Sequence, residues 1–125
     1  MNLIFIFLGG GLGALSRYGV SSSIQSLVEN TRLQRFPLGI LACNLTGCFL
    51  IGLIFGWIVS RNGEQSSWFQ PLVITGFLGA FTTFSAFALD TQKLFESSPA
   101  LAIVNIAASV AGSLLAIWLG FKCLG

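Results

Sequence analysis

The chain has 125 residues, of which 54% are hydrophobic and only 8% are charged, whereas a soluble domain carries about 25% charged residues. This deficit of charge indicates a membrane protein, and the net charge of +2 excludes the concentrated basic surface that nucleic-acid binding needs. The chain contains no histidine, the commonest general base and metal ligand. With only four acidic residues and no placed acid–base pair, an enzyme is not expected.

Four apolar runs are long enough to cross a bilayer, which takes about 20 residues. They are residues 3–23, 38–59, 68–89 and 100–121. Short polar links separate them at residues 29–36, 60–67 and 90–99, and a proline stands near three of the four predicted helix starts, where it is tolerated. The sequence therefore predicts an all-α membrane protein with one four-helix transmembrane domain over residues 1–125.

The first run carries one charge, Arg17, behind its most apolar stretch. No basic residue precedes that stretch, which favours a true span over a signal peptide. Arg17 either extends its charge to the membrane interface or attracts anions at a water-filled vestibule, and the sequence leaves both interpretations open.

The second run contains an amide, Asn44, at its middle, in ACNLTG. An isolated amide in hydrocarbon is costly and usually finds a partner, so Asn44 is either half of a helix–helix hydrogen bond or a donor that lines a pore. Cys43 and Cys48 point to different sides of the same predicted helix, and Cys123 lies far from both in sequence. We interpret these cysteines as small apolar side chains rather than a metal or redox site.

The third run contains GFLGAFTTFSAF, residues 76–87, an unusual composition for a helix in lipid. Glycine costs about 1 kcal/mol against alanine in a helix interior, and Thr and Ser hydroxyls compete for backbone hydrogen bonds. Non-helical backbone at membrane depth is tolerated only where it is buried in protein or lines water. The segment predicts either a helix break that builds an ion site or a flexible packing motif in an unbroken helix.

Aromatic and polar side chains repeat at helical spacing in the third and fourth runs. Phenylalanines stand at positions 77, 81, 84 and 87. Such a stripe usually contacts lipid or core, yet ring edges carry partial positive charge and could accompany an anion. Asn105, Ser109 and Ser113 recur every four residues and share one helix face, which indicates either helix packing or donors along a pathway.

No acid stands at the centre of a predicted span, and Asp90 comes closest, at the end of the third. Proton-coupled transport generally needs an intramembrane carboxylate or histidine, and cation channels need acid rings or carbonyl filters. The predicted spans offer instead ring edges, an amide, hydroxyls and one arginine. They favour a pathway for a small neutral molecule or an anion.

The orientation signal in the chain is weak. Four spans place both termini on one side, together with Arg61 and Lys122, while Arg32, Arg35 and Lys93 fall on the other. The Lys/Arg asymmetry that orients membrane proteins is therefore small, and the chain could insert both ways up, which permits an antiparallel dimer. Small residues along three of the runs favour close packing and oligomerisation.

The chain resembles the Fluc (CrcB) family of fluoride channels over all four spans. The resemblance is carried by GFLGAFTTFSAF, by Asn44 in GILACNLTG, by Arg17 in GALSRYG and by GSL at 112–114. It implies passive fluoride export across the bacterial inner membrane by a dual-topology antiparallel homodimer whose third helix breaks at the membrane centre. It also implies a structural sodium ion at the dimer centre, held by the backbone carbonyls of Gly79 and Thr82.

The resemblance further implies which residues form the fluoride pathway. They are the ring edges of Phe84 and Phe87, the Asn44 amide, the hydroxyls of Ser85, Ser109 and Ser113, and Arg17 at the vestibule. Ala86 and Ala88 stand where many relatives have hydroxyl residues, which thins the polar lining beyond the phenylalanines.

Two alternative functions remain open at this point. The thinned lining is compatible with a non-conducting or partner subunit that pairs with a homologous second subunit in a heterodimeric fluoride channel. A small multidrug exporter shares four spans and dual topology but needs an acid in its first span, where this chain has none. The expected partners are fluoride, the lipid bilayer and a second copy of the chain, and nucleic acid is not among them.

Overall fold

The computed structural model describes residues 2–125, so Met1 of the predicted domain lies outside it. Four segments of the described chain are helical, long and apolar enough to cross a membrane. They are α1 (Asn2–Leu27), α2 (Leu38–Ser60), an interrupted third segment (Gln70–Ser97) and α5 (Pro99–Leu124). The four predicted spans are thereby confirmed, and the chain is an all-helical, multi-pass membrane protein.

The outer surface of these helices is apolar, as contact with lipid requires. Leu3 is 80% exposed and Phe7 79% exposed on α1, and Leu114 on α5 is 65% exposed. A soluble monomer rarely leaves so large a contiguous apolar surface uncovered, whereas lipid tails cover it without loss of hydrogen bonds.

The third segment consists of several parts. Residues Gln70–Leu78 are π-helical, and α3 (Gly79–Phe81) follows directly. Thr82 and Thr83 are extended, with φ/ψ of −89/153° and −152/123°. The chain then enters α4 (Phe84–Ser97). The two extended residues fall at the middle of the 28-residue segment.

The predicted polar link over residues 90–99 is wrong for most of its length, because α4 continues to Ser97. Thr91 and Leu94 are buried, and α4 packs against α5, so tertiary contacts stabilise two further turns whose outer face is polar. Ser98 alone separates the helices, and its hydroxyl accepts from the Leu101 N–H at 3.4 Å to cap α5.

Glycines allow the helices to approach backbone to backbone. A Cβ at Gly52 of α2 would collide with the Ile117 carbonyl of α5, and one at Gly120 would collide with the Phe49 carbonyl. α2 packs on α5 and α1 packs on the first half of the third segment. Small residues bring helices this close in membranes, where packing replaces the hydrophobic effect.

Candidate functional site

The site is built around the two extended residues between α3 and α4. Thr83 caps α4, because its Oγ1 accepts from the Ala86 N–H at 3.2 Å. Threonine is a preferred residue at this position, where its extended backbone leaves the side-chain oxygen in reach of the first helical turn. Its neighbour Thr82 bonds back to the end of the preceding helix, with both its N–H and its Oγ1 donating to the Leu78 carbonyl at 3.1 and 3.0 Å.

Asn44 of α2 bonds the backbone of Thr83 through both ends of its amide. Its Nδ2 donates to the Thr83 carbonyl at 3.0 Å, and its Oδ1 accepts from the Thr83 N–H at 2.8 Å. The side chain therefore replaces the two helical bonds that an extended residue loses. An amide has two N–H donors, so one donor of Asn44 remains beyond this pair.

Several backbone carbonyls before α4 lose the partners that a continuous helix would supply, among them those of Gly79 and Thr82. The Thr83 N–H would bond the Gly79 carbonyl but donates to Asn44 instead. The Ala86 N–H would bond the Thr82 carbonyl but donates to the Thr83 hydroxyl instead. These are the two carbonyls that the family resemblance assigns to sodium, and such oxygen donors at an unwound helix end suit a hard cation.

A cavity of about 340 Å³ opens beside the two extended residues. It lies between α2, the start of α4 and the middle of α5. Its lining residues are Asn44, Cys48, Thr82, Thr83, Phe84, Phe87, Ser109, Val110, Ser113 and Leu114. None of these side chains is an acid or a base. The cavity thus offers hydroxyl, amide and aromatic groups on otherwise apolar walls.

The structure brings five of the predicted pathway residues to this cavity, namely Asn44, Phe84, Phe87, Ser109 and Ser113. Phe84 and Phe87 are tilted by 56° with ring centroids 5.3 Å apart. Phe84 is 76% exposed on the single chain, whereas Phe87 is buried. A tilted pair presents a ring edge as well as a face, and the edge is the electropositive part.

The other phenylalanines of the motif belong to a different surface. Phe77 and Phe81 stack with an interplanar angle of 8° and centroids 6.0 Å apart, and neither lines the cavity. A Cβ at Gly13 of α1 would collide with the Phe77 carbonyl, and one at Gly47 of α2 would lie 3.4 Å from the Phe81 ring, so these two residues lie where the third segment packs on α1 and α2.

Ser85 and Arg17 lie outside this cavity. Ser85 is exposed, and its hydroxyl shares a hydrogen bond with Thr83 Oγ1 at 3.1 Å. Arg17 is partly exposed on α1, and its carbonyl lies 3.8 Å from the thiol of Cys43. Their roles in the pathway stay predictions.

The fourth-helix stripe divides into two parts, because Ser109 and Ser113 reach the cavity and Asn105 does not. Asn105 is buried behind the wall, where its Nδ2 donates to Thr91 Oγ1 at 2.9 Å. Sequence reasoning missed Thr91 entirely. Its spacing of four residues from Phe87 was the available signal, since it places both residues on one face of α4.

Asp90, the acid nearest to a span centre, lines a separate cavity of about 280 Å³ with Arg35 and Lys93. This charged cavity lies beside the C-terminal part of α4 and the start of α2. The uncharged cavity at the extended residues and the charged one at Asp90 are thus adjacent along α4, about one helical turn apart in sequence.

Comparison with known proteins identifies relatives along nearly the whole chain. The family described as "CrcB-like protein, Camphor Resistance (CrcB)" matches residues 4–121. A Francisella philomiragia protein named "Fluoride-specific ion channel FluC" is 41% identical over 95% of this chain and 91% of its own length. Proteins of the same name from Coxiella burnetii and Rhizobium johnstonii are 39% and 43% identical, over 96% and 99% of this chain and 94% and 96% of their own lengths.

Proposed function

Because the chain belongs to the CrcB family, we propose that it is a channel through which fluoride leaves a bacterial cell passively across the inner membrane. Proteins of this family are ion channels and not enzymes. The observation that carries the proposal is the uncharged cavity where Asn44, Phe84, Phe87, Ser109 and Ser113 meet beside the extended residues.

The chemistry of this cavity suits a small, strongly hydrated anion. Such an ion must exchange water for donors that replace its hydration shell without holding it tightly. The spare N–H of Asn44, the Ser113 hydroxyl and the edges of Phe84 and Phe87 are uncharged donors of graded strength. A lysine or arginine at the same place would bind the anion too firmly for fast release, and an acid would repel it.

The extended residues Thr82 and Thr83 would, in this account, lie at the membrane centre. Non-helical backbone at that depth must be buried in protein or line water. Asn44 satisfies both backbone groups of Thr83, and the cavity provides the polar opening. The break would thus serve two purposes, since it opens the pathway and releases backbone carbonyls.

We assign the released carbonyls of Gly79 and Thr82 to a structural sodium ion. When bound, sodium supplies positive charge that offsets the carbonyl dipoles at the end of α3. Gly79 is exposed on the single chain, so a second copy could bring its own carbonyls to the same ion. The support for this assignment is the loss of helical partners at both carbonyls.

The proposed assembly is an antiparallel homodimer. Its support is the small Lys/Arg asymmetry between the two sides of the membrane and the exposure of Phe84 at the rim of the cavity. A second copy would cover that ring and close the open side of each pathway. In this assembly Arg17 would stand at the vestibule and Ser85 beside the pathway, as the family resemblance implies.

Growth of a bacterium that lacks its own fluoride channel tests the proposal. Expression of this chain alone should restore growth at a fluoride concentration that stops the host, and the F84I/F87I double variant should not. Failure of the well-expressed chain to rescue, with rescue on co-expression of a homologous second subunit, would instead assign it the partner role. Ala88, exposed on α4, marks the thinned lining that such a partner would complement.

A further inference from the structure

A buried series of hydrogen bonds, the Thr91–Asn105 relay, runs behind the cavity wall. Thr91 Oγ1 donates to the backbone carbonyl of Phe87 at 2.7 Å. Asn105 Nδ2 donates to Thr91 Oγ1 at 2.9 Å, and Ser109 Oγ lies 3.5 Å from Asn105 Oδ1. Asn105 is 1% exposed. The relay therefore joins Phe87 of α4 to Ser109 of α5, two residues that line the cavity, through two residues that do not.

The donor and the acceptor of every hydrogen bond in the relay follow from its first bond. The Phe87 carbonyl carries no proton, so Thr91 must donate its single hydroxyl proton there. Thr91 Oγ1 can then only accept, and Asn105 must present its NH₂ group to it. This turns the amide oxygen of Asn105 toward Ser109.

The end of the relay orients the Ser109 hydroxyl through a long contact of 3.5 Å. An amide oxygen only accepts, so Ser109 donates its proton to Asn105 and directs its lone pairs elsewhere. Ser109 lines the cavity, and in this state it offers an acceptor to the cavity rather than a donor. An anion that accepts a hydrogen bond from the Ser109 hydroxyl must first displace the bond from Ser109 to Asn105.

We infer that Thr91 and Asn105 are positioning residues. They keep the Ser109 hydroxyl hydrogen bonded to Asn105 and directed away from the pathway, and so limit how tightly Ser109 binds a passing anion. The inference rests on the proposed fluoride conduction. The Ser109–Asn105 separation of 3.5 Å is longer than an ordinary O–H···O hydrogen bond, so an anion can displace this weak bond, accept from the Ser109 hydroxyl in its place and then leave. Weak, reversible donation is what conduction through a selective site requires.

Ser113 provides the internal comparison. It lies one helical turn beyond Ser109 and lines the same cavity, but it takes no part in the relay. Its hydroxyl should respond to an anion independently of Thr91. The two serines thus have the same side-chain chemistry, but Ser109 is hydrogen bonded to the relay and Ser113 is not.

Substitution of Thr91 separates the relay from simple packing. In T91V the hydroxyl acceptor is lost while the shape is nearly kept, so the Asn105 amide is free to turn its NH₂ group toward Ser109. Ser109 then accepts from Asn105, and its proton faces the cavity. T91S keeps the hydroxyl and should behave like the wild type, whereas N105L removes the amide and should free Ser109 by a second route.

The test measures fluoride efflux from proteoliposomes at a low, fixed fluoride concentration. The factor by which S109A lowers the rate should be about tenfold larger in T91V than in the wild type, since a hydrogen bond to an ion is worth roughly that factor. S113A should have the same effect in both backgrounds. An equal S109A effect in wild type and T91V, or in wild type and N105L where T91V does not fold, overturns the inference.

A second readout does not depend on conduction. In protein labelled with ¹⁵N-asparagine, the Asn105 side-chain NH₂ protons should show nuclear Overhauser contacts to the Thr91 methyl, and in T91V to the Ser109 β protons. Contacts to Ser109 already present in the wild type would contradict the inference. Absence of wild-type efflux would contradict the proposed channel function, and the NMR result would still decide the orientation of the relay.

Discussion

The side chain of Asn44 bonds both the backbone N–H and the backbone carbonyl of Thr83, at 2.8 and 3.0 Å. One amide thus replaces the helical partners of a residue that has left the helix, and the same amide lines the cavity. Of the two interpretations that the sequence left open, the contact between helices is present, and the role of Asn44 as a donor at the pathway stays a prediction.

Substitutions at Asn44 should separate these two contributions. N44A leaves both backbone groups of Thr83 without partners, which should lower the free energy of unfolding by about 1–3 kcal/mol. N44D keeps an acceptor for the Thr83 N–H but places negative charge in the cavity, so fluoride efflux should fall more steeply than stability. Thermal unfolding in detergent and efflux on the same samples check this. Wild-type efflux in N44D would contradict a position in the pathway.

The phenylalanines of the cavity should matter for conduction more than for folding. F84I changes a side chain that is 76% exposed on the single chain, so it should cut fluoride efflux by tenfold or more while leaving the monomer fold intact. We give that factor as an order of magnitude for one lost ion contact. F87I replaces a buried ring by a smaller side chain and should cost about 1–3 kcal/mol of stability. Unchanged efflux in both variants would rule out a role for the ring edges.

A close contact between α2 and the extended residues gives a sharper structural test. A Cβ at Gly47 would collide with the methyl group of Thr82, so G47A should displace Thr82 and reduce both stability and efflux. T82S removes that methyl and keeps the hydroxyl that bonds Leu78, so the G47A/T82S double variant should recover. G19A, where a Cβ would meet open space, is the matched control and should behave like wild type.

The proposed sodium site predicts that the backbone at Thr82 supports assembly. T82P removes the N–H that bonds the Leu78 carbonyl and disfavours the helical conformation of Phe81 before it. The dimer should then dissociate more readily, and its stability should lose its dependence on sodium concentration. T82S, which keeps the backbone, is the control. The measurement is the yield of cross-linked dimer in sodium and in a large organic cation. A T82P dimer whose yield responds to sodium as the wild type does would argue against the carbonyl assignment.

The four spans could be predicted from composition and length, because apolar runs of this size have few alternatives. Their ends could not, since hydropathy reports only where lipid begins. Helix α4 continues past Leu89 through Thr91 and Leu94, which are buried, and only tertiary packing explains that extension.

Part of the candidate site could be predicted from the sequence. The dense Gly, Thr and Ser content of residues 76–87 raised the question of a helix break, and the structure has extended backbone at Thr82 and Thr83. Helical spacing placed Ser109 and Ser113 on one face. It could not show that Asn105 bonds Thr91, because the spacing of residues along one helix does not reveal which residue of another helix they meet.

Fluoride efflux from liposomes that contain only this protein tests the central claim most directly. A fluoride electrode follows the release after a potassium ionophore is added to balance charge, and chloride-loaded liposomes are the control. Fast release of fluoride with little release of chloride is the predicted result, and it would show that one kind of subunit suffices. Correctly folded protein that releases no fluoride, or releases chloride equally well, would contradict the account.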